Sequence, residues 1–491
     1  MKPGHGPANR LPLAIGGALV FFCGLWLLDY PKPMVDDLFY TGAALNLAGG
    51  GDFSNPMLVR QEFPSHFFFV YPPVHAHVLA GWLKVFGVSA ASMTGFQMTI
   101  YFTIAAATIA VLRKHRVPAW MEWLVPLGVN AGFFNDGLRT EPLAAALIMA
   151  GFALVECAGW RGAAVVPGFL LLALGGLTAP RAMVFAAAFG VLMIRRLWRE
   201  PAPARRPWVL LALAVSAVAV AGMLFLWMIG FRLEEFLHTF HFHAAGAFKR
   251  FGPGKWKLFE RFLDIQTSGQ MLLMAMSVFF LVAAVFRRPL DESAWVGLAL
   301  AGGILVSGLI GGLYFGSAWY VILMLLFVAA SLWRKVSRPA AIVLCPVLVL
   351  AFLAANSSVF AEVASSLHGD IQADLGPQGD AARAMTPTAG HPLLVDTVVA
   401  RYVYDYRLPQ GCVDFGFGAP FPKFDTPQTD LRAGDIYLVG PSSLTMLEQS
   451  THLDQKAPEE FQAGRRRWRF FRHPRQVFII TAEECGDRRT P

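Results

Sequence analysis

Apolar runs of membrane-spanning length recur along most of this chain, and that recurrence limits the fold more than any other feature. Breaks at charge clusters place about eleven runs near residues 11–29, 92–112, 118–134, 141–158, 163–178, 182–198, 207–230, 269–286, 294–313, 316–333 and 339–360. A run near 20 residues is what a helix needs to cross the hydrocarbon core. Of 491 residues, 55% are hydrophobic and 15% charged, and the mean hydropathy is +0.49, outside the range of soluble globular proteins. The first run, "LPLAIGGALVFFCGLWLL", is long for a signal-peptide core and leads to no small-residue cleavage site, so it reads as the first span. The segment "YPPVHAHVLAGWLKVFG" (71–87) is too short to cross, carries two His and a Lys, and reads as a helix lying along the interface.

Basic residues set the orientation. With a cytoplasmic N-terminus, "RKHR" (113–116), Arg161, "RRLWREPAPARR" (195–206), "RRP" (287–289) and "RKVSR" (334–338) all fall inside, as the positive-inside rule requires. The outside loops are then 30–91 and 231–268. The second of these carries Arg232, Lys249, Arg250, Lys255, Lys257 and Arg261, partly offset by Glu234, Glu235, Glu260 and Asp264, so either the topology differs there or those cations have work outside. The net charge of +8 fits cytoplasmic loops and anionic lipid or phosphate, and gives no reason to invoke nucleic acid. The five cysteines form no CxxC pair; Cys412 and Cys485 would sit in solvent, and pairing between them stays open.

After residue 361 the spanning runs stop, and 362–491 reads as a small extramembrane α/β domain. Its short β-rich runs are "PLLVDTVVARYVYDY", "DIYLVG" and "RQVFIITAEEC", with a helix near 442–450. "GRRRWRFFRHPR" (464–475) reads as a solvated strand or edge face, with lipid headgroups as the alternative.

The candidate chemistry lies at span ends on one side. Asp36 and Asp37 follow the first span, "NDGLRTEP" (135–142) brings Asp136, Arg139 and Glu141 before the fourth, and "TAPRAM" (178–183) brings Arg181 after the fifth. Charges near membrane depth are costly and tend to mark function. Guanidinium groups beside a carboxylate suit a phosphate-bearing ligand. The bland alternatives are an Asp N-cap on "DLFYTGAALNLA", ion pairs of Arg139 with Asp136 or Glu141, and an Arg181 reaching for headgroups. His238, His241 and His243 share a face in no single geometry, which argues against a metal site. They remain open to holding an acceptor or sugar, or to plain packing. Tyr71 with Pro72 and Pro73 makes a rigid turn into the following helix.

"VDDLFYTGAALNLAGGGDFSNP", "VYPPVHAHVLAGWLKVFG" and "GLRTEPLAAALI" together resemble the GT-C membrane glycosyltransferases, in the branch of protein O-mannosyltransferases and lipid A aminoarabinose transferases. The resemblance implies a mainly α, polytopic enzyme. It would move a sugar, with inversion, from a polyprenyl-phosphate donor to a lipid, glycan or protein acceptor on the periplasmic face of a bacterial inner membrane. On that likeness Asp36 or Asp37 is the catalytic base or orients the acceptor, Glu141 is the acid before the fourth span, and Arg181 holds carrier phosphate. The stretch 238–243 matches no motif of the family; apart from the likeness, Tyr71, His241 and His243 join Glu141 as candidates to contact acceptor or sugar, and Arg139, Lys249 and Arg250 join Arg181 as candidates to face phosphate. Glu141 stands where the family often has Asp. The sequence names no cofactor and leaves open whether a divalent cation assists. The competing readings are a transporter or flippase of anionic lipids, a non-catalytic envelope assembly subunit, and a lipid-linked oligosaccharide polymerase or ligase.

Overall fold

The computed structural model describes residues 11–28, 30–31, 35–55, 65–132, 138–158, 162–199, 206–250, 268–286, 290–311, 318–333 and 338–367, and five short strands beyond them. Helices occupy each of the eleven apolar stretches. They are α1 (Leu11–Leu27), α4 (Ala90–Lys114), α5 (Ala119–Gly132), α6 (Thr140–Cys157), α7 (Gly162–Thr178), α8 (Ala182–Arg199), α9 (Arg206–Met228), α11 (Ser268–Phe286), α12 (Glu292–Gly311), α13 (Ala318–Trp333) and α14 (Arg338–Ala355). Between them lie α2 (Val35–Ala48), α3 (Val74–Phe86) and α10 (Leu233–Arg250), and α15 (Ser357–Leu367) follows α14. Four of the described helices, α4, α6, α9 and α11, have both the length and the hydropathy to cross a membrane, and several shorter apolar helices accompany them. The protein is therefore a multi-pass, mainly helical membrane protein.

Polar ties at the helix ends show that successive helices alternate in direction. At one end, Asn130 of α5 donates to Asn356 Oδ1 beyond α14 at 2.8 Å, and Gln270 of α11 donates to Ala131 O at 3.2 Å. At the other end, Lys114 of α4 and Arg196 of α8 both pair with Glu156 of α6. Arg196 also reaches Glu292 of α12 at 2.6 Å, and Arg113 pairs with Glu122 of α5 at 3.2 Å. Arg113, Lys114 and Arg196, from two basic segments expected on one side, thus meet at one end of the bundle.

Helices α6 and α7 approach closely because glycine lines their seam. A methyl group at Gly151 would fall 2.5 Å from the carbonyl oxygen of Gly168, and one at Gly175 would fall 2.9 Å from that of Ala144. Such distances are below any real Cβ contact, so the two backbones touch in the manner of small-residue packing between membrane helices.

At the Glu141 end of the bundle, α2 is held by the loop that follows it. It stops at a run of glycines, of which Gly50 has φ of 90°, a conformation that costs glycine little. The chain then folds back, with Asn46 Nδ2 donating to Asp52 O at 3.0 Å and Ser54 Oγ at 3.0 Å, and Asn55 Nδ2 donating to Phe39 O at 3.1 Å. Asn55 occupies the space a side chain at position 42 would need. The segment read as an interfacial helix is α3, which buries Val74, Leu79 and Leu83.

In the tail, β1 (Leu393–Val395), β2 (Val413–Asp414), β3 (Ile436–Val439), β4 (Glu459–Ala463) and β5 (Arg466–Arg472) form one sheet of order β2-β1-β3-β5-β4. The pairings of β1 with β2 and β3 are parallel, whereas β5 runs antiparallel to β3 and β4, with Tyr437 opposite Phe471 and Phe461 opposite Trp468. Residues 466–472 of the basic and aromatic run thus form a strand, the first of the two forms expected, and the edges of the sheet are β2 and β4. The expected helix near 442–450, the run "RQVFIITAEEC", Cys412 and Cys485 lie outside the described residues. Helix α15 runs across the expected domain boundary at 361.

Candidate active site at the start of α6

Arg139 is the N-cap of α6, with extended backbone, and Glu141 lies in the first helical turn. A carboxylate there is favoured by the unpaired amides of the helix start. Glu141 is buried, 6% exposed, and Thr140 Oγ1 donates to its Oε2 at 3.1 Å. Two guanidinium groups flank it. Arg139 Nε stands 3.8 Å from Oε2, and Arg181 Nη1, from the turn between α7 and α8, stands 3.8 Å from Oε1. Both separations exceed a hydrogen bond. The carboxylate thus attracts both cations without hydrogen-bonding either, and Arg181 Nη1 is buried with no hydrogen-bond partner.

Aromatic hydroxyls complete one wall. The Arg139 guanidinium carbon sits 5.6 Å from the centre of the Tyr40 ring, within cation–π reach. Tyr40 Oη donates to Tyr71 Oη at 3.1 Å, and the two rings meet edge to face at 4.9 Å. Burial, reinforced by the charge of Glu141, raises the Tyr71 phenol above its ordinary pKa, so it stays a neutral hydroxyl. One turn further, His75 of α3 is 1% exposed, and burial lowers its pKa to about 4.

Several residues expected from sequence thus converge: Arg139, Glu141, Arg181 and Tyr71. The backbone of Asp36 and Asp37 forms the first turn of α2, about one turn before Tyr40, but their side chains lie outside the described residues, as does Asp136. The loop 231–268 begins as helix α10, which settles the histidine geometry: His238 and His241 lie three residues apart and are exposed. Helix α10 packs against the loop before α3, with Ser65 Oγ donating to Glu235 at 2.6 Å and Arg232 lying over Phe67 at 4.5 Å. No described contact joins His241 to the Glu141 cluster. The side chains of His243, Lys249 and Arg250 are outside the described residues. Among the described residues no group of three His, Cys, Asp or Glu could hold a metal ion.

Tyr40, His75 and Tyr320 escaped sequence reading. Helical spacing of three and four residues puts Tyr40 on the face of α2 that bears Asp36 and Asp37, a signal that was available. Tyr320 on α13 stacks flat on Phe185 of α8, with centroids 3.5 Å apart, and nothing local in sequence marks it.

No protein-family model matches this chain, and no curated protein matches it. Among solved structures, the apo crystal structure of ArnT from Cupriavidus metallidurans is similar, with 13% sequence identity and a TM-score of 0.41. The likeness covers 94% of this chain and 98% of that one. A likeness of that depth carries nothing about chemistry, which rests on the side chains alone.

Proposed function

We propose that the protein is a membrane glycosyltransferase of the GT-C type, taking sugar from a polyprenyl-phosphate donor. One observation carries the reading. A buried carboxylate at a helix start holds two guanidinium groups at 3.8 Å without hydrogen-bonding either, and Arg139 lies over Tyr40, one turn after Asp36 and Asp37 along α2. The Nη1 of Arg181, buried without an acceptor, costs stability unless one joins it, and a phosphate is the anion that guanidinium forks bind best.

In the proposed reaction the acceptor hydroxyl oxygen attacks the anomeric carbon as the bond from that carbon to phosphate oxygen breaks. The polyprenyl phosphate leaves with the bonding electrons, and the hydroxyl proton passes to Asp36 or Asp37. Arg139 and Arg181 stabilise the charge that grows on the leaving phosphate. Glu141 holds both guanidinium groups at one spacing, and Tyr71 offers a neutral hydroxyl to sugar or acceptor. Lys249 and Arg250 close α10 as further phosphate contacts, and His241 and His243 border the acceptor. The spanning part runs through α14 and the tail follows α15, the tail lying on the periplasmic face of a bacterial inner membrane together with the active site.

The test is Asp36→Asn with Asp37→Asn in purified, folded protein, supplied with farnesyl phosphate esters of common monosaccharides and scored for loss of sugar from phosphate. Turnover falls by about 10²- to 10⁴-fold when a general base is lost. Undiminished turnover removes the assignment, and absence of any turnover by the parent protein favours transport or assembly instead.

A further inference from the structure

Two buried polar atoms near Glu141 face no partner at all. Nε2 of His75 and the hydroxyl of Tyr320 are both buried, in residues 1% and 2% exposed, and neither makes a hydrogen bond. They come from α3 and α13, elements remote in sequence. Tyr320 is fixed by its stack on Phe185, one turn after Arg181. His75 is fixed edge to face with Phe96 at 6.1 Å, one turn after Tyr71. Two rigid rings are therefore held beside the charged cluster, each with its polar atom unsatisfied.

Buried polar groups are almost always hydrogen-bonded, and a bare one is costly. Two such atoms around one carboxylate fit a site shaped for a guest. Their chemistry indicates which guest. Imidazole and phenol are neutral here and directional, unlike the guanidinium groups of Arg139 and Arg181, so they suit hydroxyl groups better than phosphate. A site built to hydrogen-bond a hydroxyl rejects ligands that lack it, because its own groups are then stranded.

We propose that His75 Nε2 and Tyr320 Oη form a neutral subsite that binds the sugar hydroxyls of the donor, next to the phosphate grip of Arg139 and Arg181. This rests on the glycosyltransferase reading and adds a division of labour to it: cations hold the carrier phosphate, and neutral rings choose the sugar.

The experiment compares binding of farnesyl phosphate with that of farnesyl phosphate esterified to glucose, mannose or arabinose, using the full chain in nanodiscs. Tyr320→Phe and His75→Phe weaken the best sugar ester at least tenfold and leave farnesyl phosphate unchanged, whereas Arg181→Gln weakens both. Without ligand, Tyr320→Phe melts at the same temperature as the parent or higher, since it deletes an unsatisfied hydroxyl; a structural hydroxyl would instead lower it. The subsite is overturned if both ring variants keep parental affinity for that ester, or if the parent binds no ester more tightly than farnesyl phosphate. Failure of the parent to bind farnesyl phosphate at all overturns the glycosyltransferase reading as well.

Discussion

The two ends of α6 carry the same residue type in opposite states. At the far end Glu156, 3% exposed, is ringed by Lys114 at 3.4 Å, His115 at 3.3 Å and Arg196, while Arg196 spans on to Glu292 and His115 on to Ser293. About 22 Å along the axis, at 1.5 Å per residue, Glu141 holds two guanidinium groups at 3.8 Å, beyond hydrogen-bond distance. A carboxylate hydrogen-bonded by its cations ties helices together, even though Arg196 Nε is itself left without a partner. A carboxylate that only attracts its cations leaves Arg181 Nη1 open to a further acceptor. The contrast separates structure from function better than charge or burial, which are alike at the two sites.

The largest expected effect breaks the Glu156 end. Arg196→Met leaves Glu156 short of its closest cation and Glu292 unpaired, and is expected to cost about 3 to 5 kcal/mol, read as a lower unfolding midpoint in detergent. At the other end Arg181→Gln is expected to reverse that pattern. Transfer falls about 10²- to 10³-fold, and the unfolding midpoint moves little because the arginine is already without a hydrogen bond. A variant of Arg181 that unfolds the protein as Arg196→Met does would erase the distinction.

The pH dependence sharpens the comparison. His75 is neutral when folded, with a pKa near 4 against an ordinary 6.5, so the unfolded chain binds more protons between those values. Its contribution is fully present above pH 6.5 and is lost as pH falls toward 4, with a slope approaching about 1.4 kcal/mol per pH unit. The difference in unfolding midpoint between the parent and His75→Gln, followed across that window, isolates the slope. The smallest effect concerns Asp52 and His66, 2.9 Å apart and solvent-exposed. Hydrogen bonds from Ser54 and His66 outweigh partial burial and hold the Asp52 carboxyl below its usual value. His66→Ala is still expected to change stability by less than about 1 kcal/mol.

Much of the scaffold was legible in sequence because each span is a local fact, an apolar run between charges. Arg139, Glu141 and Arg181 were legible for the same reason, since charge at a span end stands out against hydrocarbon. The Glu156 cluster was not. Lys114, His115 and Arg196 read as ordinary positive-inside residues, and Glu156 drew no reading of its own inside the run 141–158. Only alternation of helix direction brings 114, 156, 196 and 292 together, and it leaves the rotation of each helix unspecified. His75 and Tyr320 were hidden differently: a buried His or Tyr usually has a partner, and whether it does depends on neighbours hundreds of residues away. The twist of α10 was equally unreadable, since the histidine spacing suited strand and helix alike.

The glycine seam between α6 and α7 reaches further than packing. Glu141 rides on the first turn of one helix and Arg181 follows the last turn of the other, so the closeness of those bare backbones works as a caliper for the gap between carboxylate and guanidinium. Adding one methyl at Gly175, well removed from any reacting atom, would open the jaws. Enzymes of this design could thus be retuned for bulkier or slimmer headgroups from inside the bilayer, with every reactive side chain left untouched.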